Sequence, residues 1–253
     1  SIIHNDDLKL ILLGNLGYFH DDPYSLSLSY YSVAQGSYYA YGASFIKGGS
    51  QRLSDYLKDY IGKHNGKVLL KHIATHLEMM GNRVSGVSFK KVKGASSEIF
   101  TAYSDEIIAN AAMPTVAELL PDNYGSKLRN IFRDQRPGAS LLTIYLGFKN
   151  SLKKIGHNNY STFIFDNSVR SQADILSNNM GDFNRRSFTF IDYGQIDSGL
   201  APSGKSVGAV CCIDYLNGWD HLTHEQYKSR KESVAKIFIA RLEKLIPGIT
   251  DEI

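Results

Sequence analysis

Cysteine is scarce in this 253-residue chain, and its two cysteines, Cys211 and Cys212, are adjacent in an apolar run. Adjacent cysteines cannot join distant parts of a fold, so a disulfide framework like that of small secreted proteins is excluded. No apolar run approaches the roughly 18 residues that a membrane-spanning helix needs. No start methionine, signal peptide or transit segment is visible. We therefore predict a cytoplasmic protein with reduced thiols.

Excess charge of one sign is also absent, since 28 basic and 25 acidic side chains give a net charge of +3. The lysines and arginines are scattered and form no stripe, so nucleic-acid binding is not predicted. An apolar content of 43% and a charged content of 21% are typical of a globular protein. The length allows one large domain or two small ones.

The motifs of several enzyme classes are missing. His72 and His76 stand four residues apart, but Ile-Ala-Thr between them lacks the glutamate of a zinc-protease motif, and the segment has a strand pattern. No Gly-x-Ser-x-Gly nucleophile elbow occurs, and Gly14-Asn-Leu-Gly17 lacks the third glycine of a dinucleotide-binding fingerprint. The sequence predicts no metal site and identifies no catalytic residue.

The most distinctive local feature is Gly48-Gly49, directly before a helical pattern. Free backbone N–H groups in such a turn can bind an anion at the start of the helix. A plain turn that begins the helix explains the same residues equally well. The helix itself is predicted to pack on one side, because apolar residues recur three or four positions apart at Leu53, Tyr56, Leu57, Tyr60 and Ile61.

A series of strands is predicted after this helix. Residues 67–70 should begin a strand, and residues 73–80 and 84–89 should pair as a hairpin around Gly81-Asn82. Ile107-Ile108-Ala109 is short and continuously apolar, which is typical of a strand buried on both faces.

Residues 24–35 carry no charged side chain and alternate leucine and tyrosine with serine. We predict a helix that is either buried in the core or forms the wall of an apolar pocket, and core packing is the commoner role of such aromatic stripes. Three further tyrosines, Tyr38, Tyr39 and Tyr41, lead into the glycine turn.

The carboxy-terminal half predicts four strands, at residues 140–148, 161–165, 187–193 and 207–213. Long connections separate them, which favours a mixed or antiparallel sheet backed by helices over a meander. The clearest helix covers residues 225–245, where Val234, Phe238 and Leu242 share one face.

In this order, the segments resemble FAD-dependent oxidoreductases of the phytoene desaturase, carotenoid isomerase and retinol saturase group. The resemblance covers most of the chain. It rests on Gly48-Gly49 and its helix, Asn65-Gly66-Lys67-Val68, Arg83-Val-Ser-Gly-Val87, Ser104-Asp-Glu-Ile-Ile-Ala-Asn-Ala111, Asp197-Ser-Gly-Leu-Ala-Pro-Ser-Gly-Lys-Ser206, Trp219 and the last long helix before Ile246-Pro-Gly-Ile249.

The resemblance implies an α+β (α/β) fold in two parts. Residues 1–44 and 115–253 would form a substrate domain, a mixed β-sheet with flanking helices. Residues 45–114 would supply a helix and a β-hairpin, one arm of a Rossmann-like FAD-binding domain. The family's amino-terminal Gly-rich loop and carboxy-terminal flavin segment are not in this sequence. We therefore expect a central fragment that binds FAD weakly or not at all.

Two sets of site residues follow from the resemblance. The family's Val-x-x-Ile contact with the adenine side of FAD maps onto Ala74 and Leu77, or onto Ile73 if the hairpin carries one extra residue. The expected flavin contacts are Gly48, Gly49, Ile73, Ala74, Asn110 and Ala111. The expected wall of an apolar substrate pocket is Tyr30, Tyr31, Tyr38, Tyr39 and Tyr41.

The implied activity is desaturation, saturation or isomerisation of C=C bonds in a long apolar polyene or isoprenoid. Collecting such a substrate would bring the tyrosine-rich stretch near Tyr30 to a membrane surface. Two alternatives stay open. One is a non-catalytic module that binds a lipid or a partner and has lost the flavin, and the other is a different member of the wider FAD superfamily, such as an amine oxidase.

Overall fold

A computed structural model describes residues 3–92, 98–135 and 138–253. It confirms the α+β class, with helices and two antiparallel sheets. In chain order the helices and strands are α1 (Asp6–Leu12), α2 (Leu28–Tyr41), α3 (Ser50–Lys63), β1 (His72–Met80), β2 (Arg83–Lys91), β3 (Phe100–Tyr103), α4 (Met113–Leu119), α5 (Asp122–Phe132), β4 (Ser140–Phe148), β5 (Ser161–Ile164), α6 (Asp174–Asn179), β6 (Phe188–Asp192), β7 (Ser206–Asp214), α7 (His224–Leu245) and α8 (Ile249–Glu252).

The larger sheet has the strand order β4-β7-β6-β5, and every pairing in it is antiparallel. Of the two forms expected from the strand spacing, mixed or antiparallel, the antiparallel one is present, and the mixed sheet implied by the resemblance is corrected. The expectation that the strands form no meander is also corrected in part, because β5, β6 and β7 are neighbours in chain order. Burial alternates along β6, where Phe188 and Phe190 are buried and Thr189 is not, as in an antiparallel sheet with one face packed on the core.

Helix α7 covers that core face of the larger sheet. Thr223 begins it with a capping box closed by Gln226, which satisfies two backbone donors at the helix start. Its predicted apolar face is confirmed, since Val234, Phe238 and Leu242 are buried against the sheet. Burial of each such side chain stabilises the fold by about 1.5–3 kcal/mol. This packing leaves the opposite face of the sheet for other contacts.

The smaller sheet confirms the predicted hairpin. Met80 pairs with Arg83, so Gly81-Asn82 forms a two-residue loop. Gly81 has a φ of 62°, as the first loop position of a type II′ turn requires. The Tyr124 hydroxyl of α5 contacts the loop at the Gly81 carbonyl oxygen (2.9 Å) and the Asn82 amide oxygen (2.8 Å).

The chain divides into two compact units, one made of Ser1–Asp55 with Gly138–Ile253 and the other of Tyr56–Pro137. The sequence-derived division, with a central segment at 45–114, stays a prediction. Both divisions insert a central segment into a domain built from the two ends of the chain. Within the described residues, no helix combines the length and the apolar character that crossing a bilayer requires.

Two predicted strands are wrong. Residues 67–70 and 107–109 are irregular, and Ile108 is 94% exposed. A short apolar run becomes a strand only where another strand supplies backbone partners, and within the described residues neither segment has such a partner. Both runs are apolar enough for a strand, and what they lack is the pairing.

Burial was also overestimated in two helices. Helix α2 begins later than predicted and extends through Tyr38, Tyr39 and Tyr41, and Gln35 is its only buried residue. Its apolar residues surround the helix axis, so a neighbour on one side cannot cover them all. The predicted stripe of α3 is present but exposed, because spacing specifies which face is apolar and not what covers it.

Candidate functional site

The glycine turn is built against a loop 150 residues further along the chain. The Gly48 N–H donates to the Ser198 carbonyl oxygen at 2.7 Å, and Lys47 forms an ion pair with Asp197. Gly48 and Gly199 have φ values of 85° and 66°, a conformation that favours glycine. A Cβ on Gly199 would lie 3.3 Å from the Gly48 nitrogen, so the two backbones touch. Two of the motifs that carry the family resemblance, the glycine turn and the loop that begins at Asp197, thus form one structural feature.

This arrangement favours a plain turn over an anion site. The Gly48 N–H is bound to Ser198, and the Gly49 N–H donates to the Ile46 carbonyl oxygen at 2.8 Å. An anion site at a helix start depends on N–H groups that point freely toward the ligand. The two glycine N–H groups are therefore not available to a flavin pyrophosphate. The glycine turn therefore does not fit that part of FAD through its own two donors.

The other four expected flavin contacts lie in the second unit. Ile73 and Ala74 stand on β1, opposite Lys90 and Phe89 of β2. Asn110 and Ala111 are exposed residues of the irregular segment before α4. All six assignments to the flavin stay predictions.

Histidine does not form a metal centre in the described part of the chain. His72 and His76 lie on strand β1, as the sequence indicated, and the His72 Nδ1 atom is 2.8 Å from the Leu70 carbonyl oxygen. The residues that the structure describes include no group of three or more histidine, cysteine or acidic side chains placed to hold a metal ion.

The five predicted pocket tyrosines separate into two groups. Tyr31 and Tyr39 line a cavity of about 580 Å³ between α1 and α2, together with Leu12, Leu26 and Leu28. The Tyr31 hydroxyl donates to the Leu12 carbonyl oxygen at 2.7 Å, and the Gln35 amide donates to Asn15 at 2.7 Å. Tyr30, Tyr38 and Tyr41 are exposed and do not line this cavity.

Tyr31 provides a prediction for alkaline pH. Burial raises the pKa of Tyr31 to about 12, above the value of about 10 for an unfolded tyrosine. The folded state holds the proton more tightly, so the stability this tyrosine contributes is present below pH 10 and lost as the pH rises toward 12. In a titration of tyrosinate absorbance, Tyr31→Phe should remove ionisation near pH 12. Tyr41→Phe, at an exposed position, should leave the ionisation near pH 12 unchanged. If that ionisation also persists in Tyr31→Phe, its assignment to Tyr31 is wrong.

Sequence reasoning missed the face of the larger sheet opposite α7. Two rows of paired residues cross it, and none of their side chains is charged. The rows are Thr143, Cys211, Thr189 and Phe163, and Tyr145, Ala209, Ile191 and Ser161. Around them the Tyr18 ring lies 5.9 Å from Phe163, and the Tyr193 ring lies 6.1 Å from Tyr160 and 5.3 Å from Phe45. We call these two rows and their four surrounding rings the aromatic face.

The aromatic face stays neutral across the physiological pH range. Burial raises the pKa of Tyr18, of Tyr160 and of Tyr193 above the usual tyrosine value, and neighbouring phenols, Tyr38 among them, add to this effect. Burial also raises the pKa of the Cys211 thiol. The face therefore offers rings, methyl groups and uncharged hydroxyls, which suit a long apolar ligand better than a charged one.

The sequence contains a weak signal for this surface. Every second residue of β4 from Leu141 points to it, and the alternate residues from Leu142 point to the α7 core. Because both sets contain large apolar residues, alternation with a period of two could not show which set is exposed to solvent.

The chain is similar in sequence to chloroplastic prolycopene isomerases. No family model matches the sequence. Two chloroplastic prolycopene isomerases of an Oncidium hybrid cultivar are 24% identical over 223 residues, which are 84% of this chain and 34% of each of those proteins. The chloroplastic prolycopene isomerase of Arabidopsis thaliana is 37% identical over 59 residues, or 23% of this chain and 10% of that protein. The chain spans about one third of the length of the Oncidium proteins.

The fold has a counterpart among solved structures. The crystal structure of an oxidoreductase from Methanosarcina mazei superposes with a TM-score of 0.55 at 16% identity, over 87% of this chain and 44% of that one. At this identity the likeness shows a shared fold. The sequence similarity supports a relationship to the FAD-dependent oxidoreductases in general, and it singles out no member of that family.

Proposed function

We propose that this chain is the central part of an FAD-dependent oxidoreductase that acts on the C=C bonds of a long apolar polyene or isoprenoid. The observation that carries the proposal is the aromatic face, a two-row sheet surface without a charged side chain. Sequence similarity to proteins named prolycopene isomerase supports a polyene as the substrate class. The proposed flavin would carry hydride or electrons when bound.

In this proposal the chain's own residues bind and orient the substrate. Phe163, Tyr18 and Tyr193 would contact the polyene through their rings, and Ile191 and Cys211 would form the floor beneath it. Contact along the two rows would exclude water from the conjugated chain and fix its direction across the strands.

A fluorescent apolar polyene, diphenylhexatriene, tests the binding surface directly. Its fluorescence is expected to rise on mixing with the chain, and Phe163→Asp should weaken binding at least about tenfold, since it places a charge against an apolar ligand. Phe100→Asp is the matched control, because Phe100 in the other unit is similarly exposed (38% against 40%). Equal loss in both variants would contradict the proposal. If diphenylhexatriene binding is lost in Tyr39→Asp but kept in Phe163→Asp, the binding site is the cavity between α1 and α2.

Flavin affinity separates this proposal from the alternative of a non-catalytic lipid- or partner-binding module. We expect the isolated chain to bind FAD weakly or not at all in a flavin-fluorescence titration, because the Gly48 and Gly49 N–H groups are already bonded. Micromolar or tighter binding would contradict that expectation. A chain of the relatives' full length should bind FAD if it is the proposed oxidoreductase. Polyene binding without FAD binding in that longer chain would favour the module.

A further inference from the structure

The two edges of the larger sheet differ in how they are protected. Strand β5 forms one edge and is four residues long. Strand β4 forms the other edge and pairs with β7 along all nine of its residues. On its other side, β4 has no strand neighbour within residues 3–92, 98–135 and 138–253. A long row of backbone N–H and C=O groups is therefore left without strand partners.

Natural proteins usually protect such an edge. They shorten it, place lysine or proline on it, or cover it, because an open edge is a template for another strand. Strand β4 reads Ser-Leu-Leu-Thr-Ile-Tyr-Leu-Gly-Phe and contains no charged residue and no proline. Tyr145, in its middle, is 78% exposed. The sequence of β4 thus suits a strand that is paired on both sides.

A groove of about 650 Å³ follows this edge. Six consecutive residues of β4, numbers 140–145, line it, and they include residues that point to both faces of the sheet. Because side chains from both faces of the sheet line the groove, it opens onto the backbone edge of β4 itself. The opposite wall consists of Leu216, Trp219, Tyr227, Lys231, Val234 and Ala235. This geometry, a bare strand edge beside a helix, is one that binds extended peptides by adding a strand.

The charges along the groove favour an acidic ligand. The Asp214 carboxylate is already paired with Arg186 at 2.7 Å. Arg230 lies over the Trp219 ring at 4.9 Å, and the Lys231 ammonium lies 5.4 Å from the Tyr227 ring centroid. Neither Arg230 nor Lys231 forms an ion pair with any described residue. Lys231 therefore gives the groove wall a positive charge that a carboxylate on the ligand can neutralise, and Arg230 adds a second one behind Trp219.

We propose that the groove beside β4 binds an extended peptide strand that is apolar at alternate positions and carries an acidic residue next to Lys231. Backbone hydrogen bonds to the free edge of β4 would provide affinity, and contacts with Trp219 and Val234 would select apolar side chains. A second copy of the chain fits less well, since pairing through β4 would bring two positively charged walls to one interface.

The single tryptophan of the chain, Trp219, lines the groove and reports on its occupancy. The probe is a capped peptide of sequence Thr-Val-Glu-Val-Thr-Val. Its addition to the full chain is expected to change Trp219 fluorescence in a saturable way. N-methylation of alternate backbone nitrogens, which removes the donors of one strand edge, should weaken binding at least about tenfold. Equal binding of the N-methylated peptide, or no response of Trp219, would overturn the proposal.

A charge swap tests the acidic preference. Lys231→Glu should weaken binding of the glutamate peptide by about two- to fivefold, as expected for one exposed ion pair, and should strengthen binding of a peptide with lysine in place of glutamate. Lys236→Glu is the matched control on the same helix, because Lys236 is exposed and lies outside the groove. Equal effects of the two variants would overturn the charge assignment. Sedimentation that shows a dimer unaffected by the peptide, with no peptide binding, would assign the edge to a second copy instead.

Discussion

Replacement of Arg186 by methionine is expected to lower the free energy of unfolding by about 3–5 kcal/mol. The Arg186 and Asp214 side chains are only 7% and 11% exposed, and their atoms are 2.7 Å apart. Arg186 also donates to the Gly181 and Ile213 carbonyl oxygens. Without the guanidinium, the Asp214 carboxylate would stay buried with only the Trp219 N–H as a donor. Loss of one partner of a buried pair costs more than the pair contributes when intact, since a charge is left uncompensated.

The adjacent arginine provides the control for this prediction. Arg185 is 69% exposed and 3.7 Å from Asp166, so Arg185→Met should cost less than about 1 kcal/mol. The double variant Arg186→Met/Asp214→Leu should recover much of the loss, because it removes the buried charge as well. Urea denaturation followed by circular dichroism measures all three. If Arg186→Met is no more damaging than Arg185→Met, the pair is not the structural element described here.

The elements that could be predicted from the sequence are those whose signals are local. Strand β4 was predicted with its observed bounds, since seven of its nine residues are large apolar or β-branched and breaks in the pattern border them. Helix α7 was predicted to within one residue, because its apolar face repeats at helical spacing and Pro247 follows its end. The hairpin around Gly81 was predicted from its turn chemistry. Each of these signals lies within a few residues of the element that it specifies.

The parts that could not be predicted depend on distant residues. Nothing near Gly48 indicates that its N–H donates to Ser198. The sequence alone therefore does not separate an anion site from a plain turn, and the hydrogen bond between these distant residues does. Ile108 lies in a run as apolar as a buried strand, yet pairing decides whether it becomes one. The aromatic face consists of alternate residues of four strands, and only their register shows that Thr143, Cys211 and Phe163 share a row.

The second large effect is expected at Asp192, a completely buried carboxylate at the end of β6. It accepts hydrogen bonds from the Gly194 N–H at 2.8 Å, the Gln195 amide at 2.8 Å and the Ser206 hydroxyl at 3.0 Å. Asp192→Ala would leave these donors without their acceptor, each at a cost of about 1–3 kcal/mol. We expect the free energy of unfolding to fall by about 3 kcal/mol or more in a urea titration.

The same change should loosen the contact that holds the glycine turn. Asp192 fixes the start of the loop that presents the Ser198 carbonyl oxygen to Gly48, so hydrogen exchange should speed up in residues 45–52 and 193–200, but not in α7. Asp197→Ala is the control, because it removes only the exposed ion pair with Lys47 and should cost less than about 1 kcal/mol. Asp192→Asn should lie between the two, since its amide can keep the Gly194 and Ser206 bonds while facing the Gln195 amide with a second donor. If hydrogen exchange at residues 45–52 speeds up in Asp197→Ala instead, the ion pair between Lys47 and Asp197 holds the glycine turn. The Asp192 carboxylate would then stabilise only the sheet.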